Sequence, residues 1–283
     1  MKAEKRSILV TGCSSGIGLT AARMLRERGY RVLATARRRE DVDRLLGEGL
    51  EALPLDLDDD ASIRAAVAEA MERTGGRIYG LFNNGAYGQP GAVEDLTRQV
   101  LRAQLETNLL GWHELTRLVL PAMRRNGEGR IVNNSSVLGL VAFAYRGAYV
   151  CSKFALEGLT DTLRLELRGT GIHVSLIEPG PVLTRFRENA LRQWEVNVDV
   201  ASSPHRAPYE AMRVRLAKEG PTQPFTLPPE AVVRPLLRAL ESRRPKARYY
   251  VTVPTHLFAI LRRLLPTPAL DAILAAASGG GRR

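Results

Sequence analysis

Short apolar runs alternate along the chain with longer stretches in which apolar positions recur every three or four residues. The runs are "SILVTG", "YRVLATAR", "LEALPLDL", "RIYGLFNN", "GRIVNNSS" and "GIHVSLIEPG", each rich in Val, Ile and Leu and closed by turn residues. Between them lie "GIGLTAARMLRERG", a charged helix after "ATAR", "DDASIRAAVAEAMERTGG", the long "RQVLRAQLETNLLGWHELTRLVLPAMRR" and "AYVCSKFALEGLTDTLRLELRG". Strands without polar alternation must be covered on both faces, and each is followed by an amphipathic helix. The pattern therefore predicts an α/β fold with a doubly wound parallel sheet and helices on both faces, in a single domain spanning residues 1–283. After Pro179 the pattern changes to a helix-forming stretch with a Ser/Pro break, which predicts a mobile lid over about residues 185–228 at the carboxyl ends of the strands. The terminal "SGGGRR" reads as a frayed tail.

Composition narrows the class. The 283 residues are 45% hydrophobic and 25% charged, ordinary for a globular protein. The net charge of +11 is uneven: from Arg185 onward there are 17 Lys+Arg against 8 Asp+Glu, or +9, leaving +2 for the rest. A solvated arginine-rich surface explains this most simply, and an anionic substrate or a membrane surface are the sharper alternatives. No nucleic-acid motif accompanies the charge, so no nucleic-acid partner is expected. The N-terminal "MKAEKRSILVTG" leaves no room for a secretory signal, which predicts a cytoplasmic protein. The two cysteines, Cys13 and Cys151, read as small apolar fillers. Arg262, Arg263, Pro266, Pro268 and Asp271 interrupt the apolar extension of about residues 254–283, so it cannot span a bilayer. It is expected to pack on the body or another subunit, with peripheral membrane contact the alternative. His113, His173, His205 and His256 have no partners at ligand spacing and predict no metal; only His205, in the lid, could touch substrate.

"VTGCSSGIG" places Gly12, Gly16 and Gly18 where the first strand meets the first helix. Glycines there allow a tight turn and close backbone approach, so the free N–H groups of the helix can hold a pyrophosphate. At the end of the second strand an NAD site would carry an acid for the ribose 2′-hydroxyl. The chain instead offers Thr35, Arg37 and Arg38, with no acid before Glu40. NADP(H) is the expected cofactor, its 2′-phosphate held by Arg37 with help from Ser14 or Ser15.

Tyr149 and Lys153 are four apart on a helix and share a face. An ammonium beside a phenol favours the phenolate and brings its proton within reach of neutral pH. Ser136, at the end of the fifth strand, is placed by topology to reach the same pocket. The TGxxxGIG loop, the Asn-Asn pair of the fourth strand, Ser136 and YxxxK together resemble the short-chain dehydrogenase/reductase family, over about Ile8 to Val253.

That resemblance implies a Rossmann-type fold in which Tyr149 exchanges the hydroxyl proton, Lys153 lowers its pKa and binds the nicotinamide ribose, and Ser136 orients the carbonyl. It assigns Asn108, in "ETNLLG", to a water-linked proton relay. Ser136 is preferred to Ser135 by its thirteen-residue spacing from Tyr149. The same resemblance implies cofactor contacts from Ile17, from Asp56 and Leu57 near the adenine, from Asn83 and Gly85 on the fourth-strand wall, and from Pro179, Gly180, Val182 and Thr184 at the nicotinamide carboxamide. The chain departs from the family's N-N-A-G in reading Asn83-Asn84-Gly85-Ala86. "YVCSKFALEGL" with "EPGPVLT" is similar to the hydroxysteroid and retinol dehydrogenase branch, which implies a lipophilic alcohol, aldehyde or ketone as substrate. Phe186, Trp194, Tyr209 and Phe225 either line its pocket or pack the lid. A 3-oxoacyl-carrier-protein reductase and a non-catalytic nucleotide sensor are the alternatives. The family also implies a dimer or tetramer built on the helices of Gln99–Arg125 and Tyr149–Arg168.

Overall fold

Ser7–Val10 forms a strand, β1, with every residue buried, and only a central position in a covered sheet allows that. The structure, a computed structural model, describes residues 5–221 and 223–278; the predicted frayed tail lies outside them from residue 279 onward. β1 pairs in parallel with β2 (Arg31–Ala36) and with β4 (Ile78–Asn83). Beyond these lie β3 (Glu51–Pro54) on one side and β5 (Gly129–Asn134), β6 (Ile172–Glu178) and β7 (Arg248–Tyr250) on the other. The order 3-2-1-4-5-6-7 reverses between β1 and β4, and ligands bind at such a switch point, beyond the carboxyl ends of the strands. The sequence pattern stopped at the sixth strand; β7 is too short to show a period.

Helices cover both faces. On one, α1 (Gly16–Glu27), α2 (Arg39–Gly47) and α9 (Glu230–Glu241) bury Ala22, Leu25, Leu45, Val233 and Leu236. On the other, α3 (Asp60–Thr74), α5 (Gly111–Asn126) and α6 (Gly147–Glu166) bury Ile63, Val67, Leu115 and Leu156. The α3 boundaries follow from its ends: Asp59 accepts the Ala61 N–H at 2.8 Å, and Gly75 closes the helix in the left-handed region at φ 59°.

The stretch Gln99–Arg125, expected as one helix, is divided. α4 (Arg98–Leu105) runs into a π turn at Glu106–Leu110 before α5 begins. A π turn takes up one extra residue within a single turn of an otherwise continuous helix, a slip too local for the apolar pattern to announce. Gly111, at the exit, lies so close to the loop after β3 that an added Cβ would sit 2.1 Å from the Leu57 carbonyl oxygen.

Between β6 and α9 the chain inserts α7 (Phe186–Asn197) and α8 (Arg206–Ala217), with the stem closed by Leu183 N–H to the Leu227 carbonyl at 2.9 Å. The insertion packs Ala190, Trp194, Tyr209, Met212 and Leu216 into a cluster shared with Ala92 of the loop after β4. The lid aromatics therefore divide: Trp194 and Tyr209 pack this core, and Phe225 is exposed. The C-terminal extension forms α10 (Val253–Leu264) and α11 (Thr267–Ala277), and Phe258 and Leu274 pack on Val137 and Val141. No described helix is long and apolar enough to cross a membrane. Cys13 is buried as expected, but Cys151 is exposed, because it falls on the outward side of α6.

Gly111→Ala should lower stability by about 1–3 kcal/mol in urea unfolding, because overpacking against backbone outweighs the gain of about 1 kcal/mol in helix propensity. A stabilised variant would show that this close approach does not constrain the chain.

Candidate active site

The loop after β1 turns through the left-handed region at Gly12 (φ 72°) and Gly16 (φ 54°), which glycine adopts without strain. Gly12 also touches β4's exit: a Cβ there would lie 2.6 Å from Gly85 Cα. This explains the Asn83-Asn84-Gly85-Ala86 order, since the glycine stands where the loop presses. The Thr11 hydroxyl accepts the N–H groups of Asn84 and Gly85 at 2.8 and 2.9 Å, which locks loop to strand. Gly18 faces inward; its Cβ would meet the Gly12 carbonyl at 2.1 Å, so it serves helix packing rather than the cleft surface.

One cleft gathers Gly12, Ser14, Ser15, Gly16, Ile17 and Gly85 with Ser136, Tyr149, Lys153, Pro179, Gly180, Val182 and Thr184. The expected position on the fourth-strand wall is corrected from Asn83 to Asn84. Asn83 is fully buried and donates to Thr116 and Asn133, because strand side chains alternate and its own points into the layer below. Asn84 faces the cleft and bonds Thr11 and Asn134.

Arg37 stands outside the cleft wall, exposed at the end of β2. Its charge reaches Asp58, after β3, and Tyr87, after β4, although burial still raises both groups, Tyr87 to about 12. Arg38 is taken up by Asp41 at 3.0 Å, whereas Arg37 forms no ion pair among the described residues. Asp56 is half-buried and accepts the Asp58 N–H at 3.1 Å; Leu57 is buried against Gly85. Neither lines the cleft.

Lys153 is buried, 1% exposed, with its amine donating to the Asn134 carbonyl at 2.8 Å. It lies 4.3 Å from the centroid of the Trp112 ring and 5.6 Å from that of Tyr149. Burial lowers it to about 7, against the opposing pull of Glu157 one turn on. Tyr149 is raised to about 12 by burial, with the Ser136 hydroxyl working the other way as its hydrogen-bond partner. The expected lowering of the phenol by the ammonium is thus corrected: in this pocket desolvation dominates both groups, and Ser136 is what favours the phenolate. Ser136 in turn accepts the Leu138 N–H at 3.1 Å, which fixes its rotamer.

Asn108, in the π turn, is fully buried and does not line the cleft. Its amide bonds the Tyr87 backbone in both directions, at 3.1 and 2.8 Å, and reaches the Ser152 hydroxyl at 3.3 Å. It makes no hydrogen bond to Tyr149 or Lys153 among the described residues, so its direct role is to hold the loop after β4 against α6. His205 is also outside the cleft, bonded to Glu94 at 2.6 Å. Phe186 enters it, edge-on to Tyr149 at 5.3 Å.

The residues fit a dinucleotide. Ser15 does not cap α1 with its side chain, which leaves the first N–H groups of the helix for an anion, and the glycine turn leaves room no side chain fills. Nearby, Asn134 Oδ1 is buried without a partner. Sequence reasoning missed Asn84, Asn134, Trp112 and Glu157. The first two could have been found by asking which of each asparagine pair faces the carboxyl edge; the last two carry no spacing signal.

A profile of the short chain dehydrogenase family matches residues 6–195. YbbO, an uncharacterized oxidoreductase of Escherichia coli strain K12, is 44% identical over 273 residues, 96% of this chain and 95% of its own. Two Homo sapiens proteins are also similar: retinol dehydrogenase 8, 33% identical over 88% of this chain and 82% of its own, and 17-beta-hydroxysteroid dehydrogenase type 1, 34% identical over 93% and 81%. Among solved structures, a short-chain dehydrogenase from Streptomyces avermitilis superposes with a TM-score of 0.76 at 30% identity, covering 99% of this chain and 97% of that one. A polyketide ketoreductase with NADPH superposes with a TM-score of 0.72 at 31% identity, over 87% and 95%.

Lys153→Met should show what burying the amine costs. The folded value of about 7 lies below the ordinary 10.5, so between these values the unfolded chain holds a proton that the folded protein has released. Stability therefore rises with pH through that window, and the deficit is complete below pH 7. The variant should melt above the ligand-free wild type at pH 6, with the gap closing as pH approaches 10. A gap that does not change with pH would mean that the amine is not desolvated.

Proposed function

The chain belongs to the short-chain dehydrogenase family and is an oxidoreductase of that family, and on that premise we propose that it uses NADP(H) to interconvert a lipophilic alcohol and its aldehyde or ketone. One observation carries the reading: the Tyr149 hydroxyl, partnered by Ser136, stands with Phe186 in the same cleft that the glycine loop lines. The similarity to retinol and hydroxysteroid dehydrogenases supports a bulky apolar substrate. The apolar lining of Leu138, Phe143, Phe186 and Leu183 beside Tyr149 supports it independently.

The nicotinamide, when bound, supplies or accepts the hydride at the substrate carbon. Ser14, Ser15 and the α1 N–H groups would hold its phosphates, Val182 and Thr184 its carboxamide, and Arg37 a 2′-phosphate. Ser136 orients the carbonyl oxygen. In reduction Tyr149 gives that oxygen its proton; in oxidation the same phenol removes it. Lys153, titrating near 7, can return a proton to Tyr149 at neutral pH. Asn108 acts as a positioning residue through Ser152 and the Tyr87 backbone.

The two thiols are both free and one is exposed, which suits a reducing cytoplasm. Leu101, Leu110, Leu159 and Leu165, exposed on the two long helical stretches, are the faces for a homo-oligomer.

Tyr149→Phe should keep NADPH affinity, read by fluorescence titration, and lose about 10²–10⁴-fold in aldehyde reduction. Turnover at the wild-type rate would remove the phenol from the chemistry. Arg37→Asp should lower the ratio of NADPH to NADH efficiency by at least about tenfold, because a carboxylate repels the phosphate that a guanidinium grips. An unchanged ratio would return the choice of cofactor to other residues.

A further inference from the structure

Three guanidinium groups line the cleft, and no acid among the described residues pairs with them. Arg146 immediately precedes α6, one turn ahead of Tyr149; Arg187 is the second residue of α7; Arg215 lies in the last turn of α8. All three line the cleft that holds Tyr149. None forms an ion pair among the described residues, although their neighbours Arg185 and Arg192 both pair with Glu188.

Their other polar contacts leave capacity over. Arg146 donates to the Tyr145 carbonyl at 2.9 Å and lies 3.2 Å from the Met212 sulfur. Arg187 donates to the Gly220 carbonyl, yet its second amino nitrogen, Nη1, is buried with no partner. Arg215 makes no hydrogen bond among the described residues. The cations also feel one another. Burial and the charge of Arg215 lower Arg146 to about 9, and burial and the charge of Arg187 lower Arg215.

The backbone enforces the arrangement at a cost. Tyr145 sits at φ 62°, a left-handed conformation that a bulky residue rarely adopts, and its carbonyl is pinned by the Gly91 N–H at 3.1 Å. Desolvation and repulsion converge on the wall that this strained backbone holds in place, and both would be relieved by a negative group.

We propose that Arg146, Arg187 and Arg215 form a subsite for an anionic, oxygen-rich headgroup, a carboxylate or phosphate, at the far end of an apolar substrate whose carbonyl lies at Tyr149 and Ser136. This rests on the alcohol–carbonyl reading above and deepens it: the substrate is amphiphilic rather than purely lipophilic. Guanidinium pairs hold such headgroups in a bidentate fork, and with part of the desolvation already met in the free protein the gain falls on binding.

The test uses octanoate, methyl octanoate and octyl phosphate as non-reducible probes, titrated by calorimetry into the protein loaded with NADP⁺. Both anions should bind at least about tenfold more tightly than the ester. Arg215→Gln, at a half-buried surface position, should remove most of that preference while NADPH affinity stays at the wild-type value; Arg187→Gln repeats the measurement should the first variant fold poorly. The ratio of phosphate to carboxylate affinity identifies the headgroup. Equal binding of all three probes would overturn the proposal. So would a variant that weakens NADPH and spares the anion preference, since the wall would then serve the cofactor. Binding is read without turnover, so a wild type that prefers the anions yet does not reduce 8-oxooctanoate would sink the reductase reading and leave the subsite standing.

Discussion

An amine withdrawn from water must still be able to carry a proton, and the architecture converges on that requirement at Lys153. Burial alone would drive the group to neutrality. Against it stand the Asn134 carbonyl from the end of β5, the face of Trp112 from α5, and the negative charge of Glu157 on the next turn of α6. Each comes from a different element, so the amine's balance depends on sheet, helix and crossover being in register. The result is an amine that burial lowers to about 7 while the charge of Glu157 opposes the shift.

Glu157 is itself held by a deeper network. Arg248, on β7, pairs with Glu157, Asp161 at 2.6 Å and Glu178 at 3.0 Å. Burial raises Glu157, and it raises Glu178 to about 8 with help from Glu157. Asp161 is shared with Arg164 and burial keeps Glu178 protonated at neutral pH, so the negative charge that reaches Lys153 is that of Glu157. A three-residue edge strand thus has an electrostatic role well beyond the area it covers.

Much of this was legible in the sequence, for identifiable reasons. Six strands showed because both faces are buried, and Tyr149 and Lys153 showed because helix geometry turns a spacing of four into a shared face. What was not legible depended on phase or on distant neighbours. The π turn at 106–110 takes up one extra residue within a single turn, a slip too local for the apolar pattern to announce. The choice between Asn83 and Asn84 is a matter of strand parity, and nothing in an Asn-Asn pair announces it. The exposed side of Cys151 could have been read from α6, where Tyr149, Ser152 and Lys153 define the inward face; treating the residue singly hid that. The pKa expectation failed differently: it counted a neighbour's charge and omitted the water that both groups lose.

The uneven charge of the C-terminal third resolves once geometry sorts its arginines. Arg248 is spent on the carboxylates beneath Lys153, and Arg185 and Arg192 are spent on Glu188. Arg146 lies outside that third, yet it completes a wall with two arginines from inside it, and positions 146, 187 and 215 meet only because α7 and α8 fold back over the carboxyl ends of the strands. The insertion can do this because Trp194 and Tyr209 anchor it to Ala92 in a common cluster, which leaves Phe186 and the cations to face inward. Net charge counted along the chain pointed to a surface property. Most of the remaining cations, Arg213, Arg234, Arg243 and Arg262 among them, are exposed and bear that out, while Arg187 and Arg215 are set apart by lining the cleft.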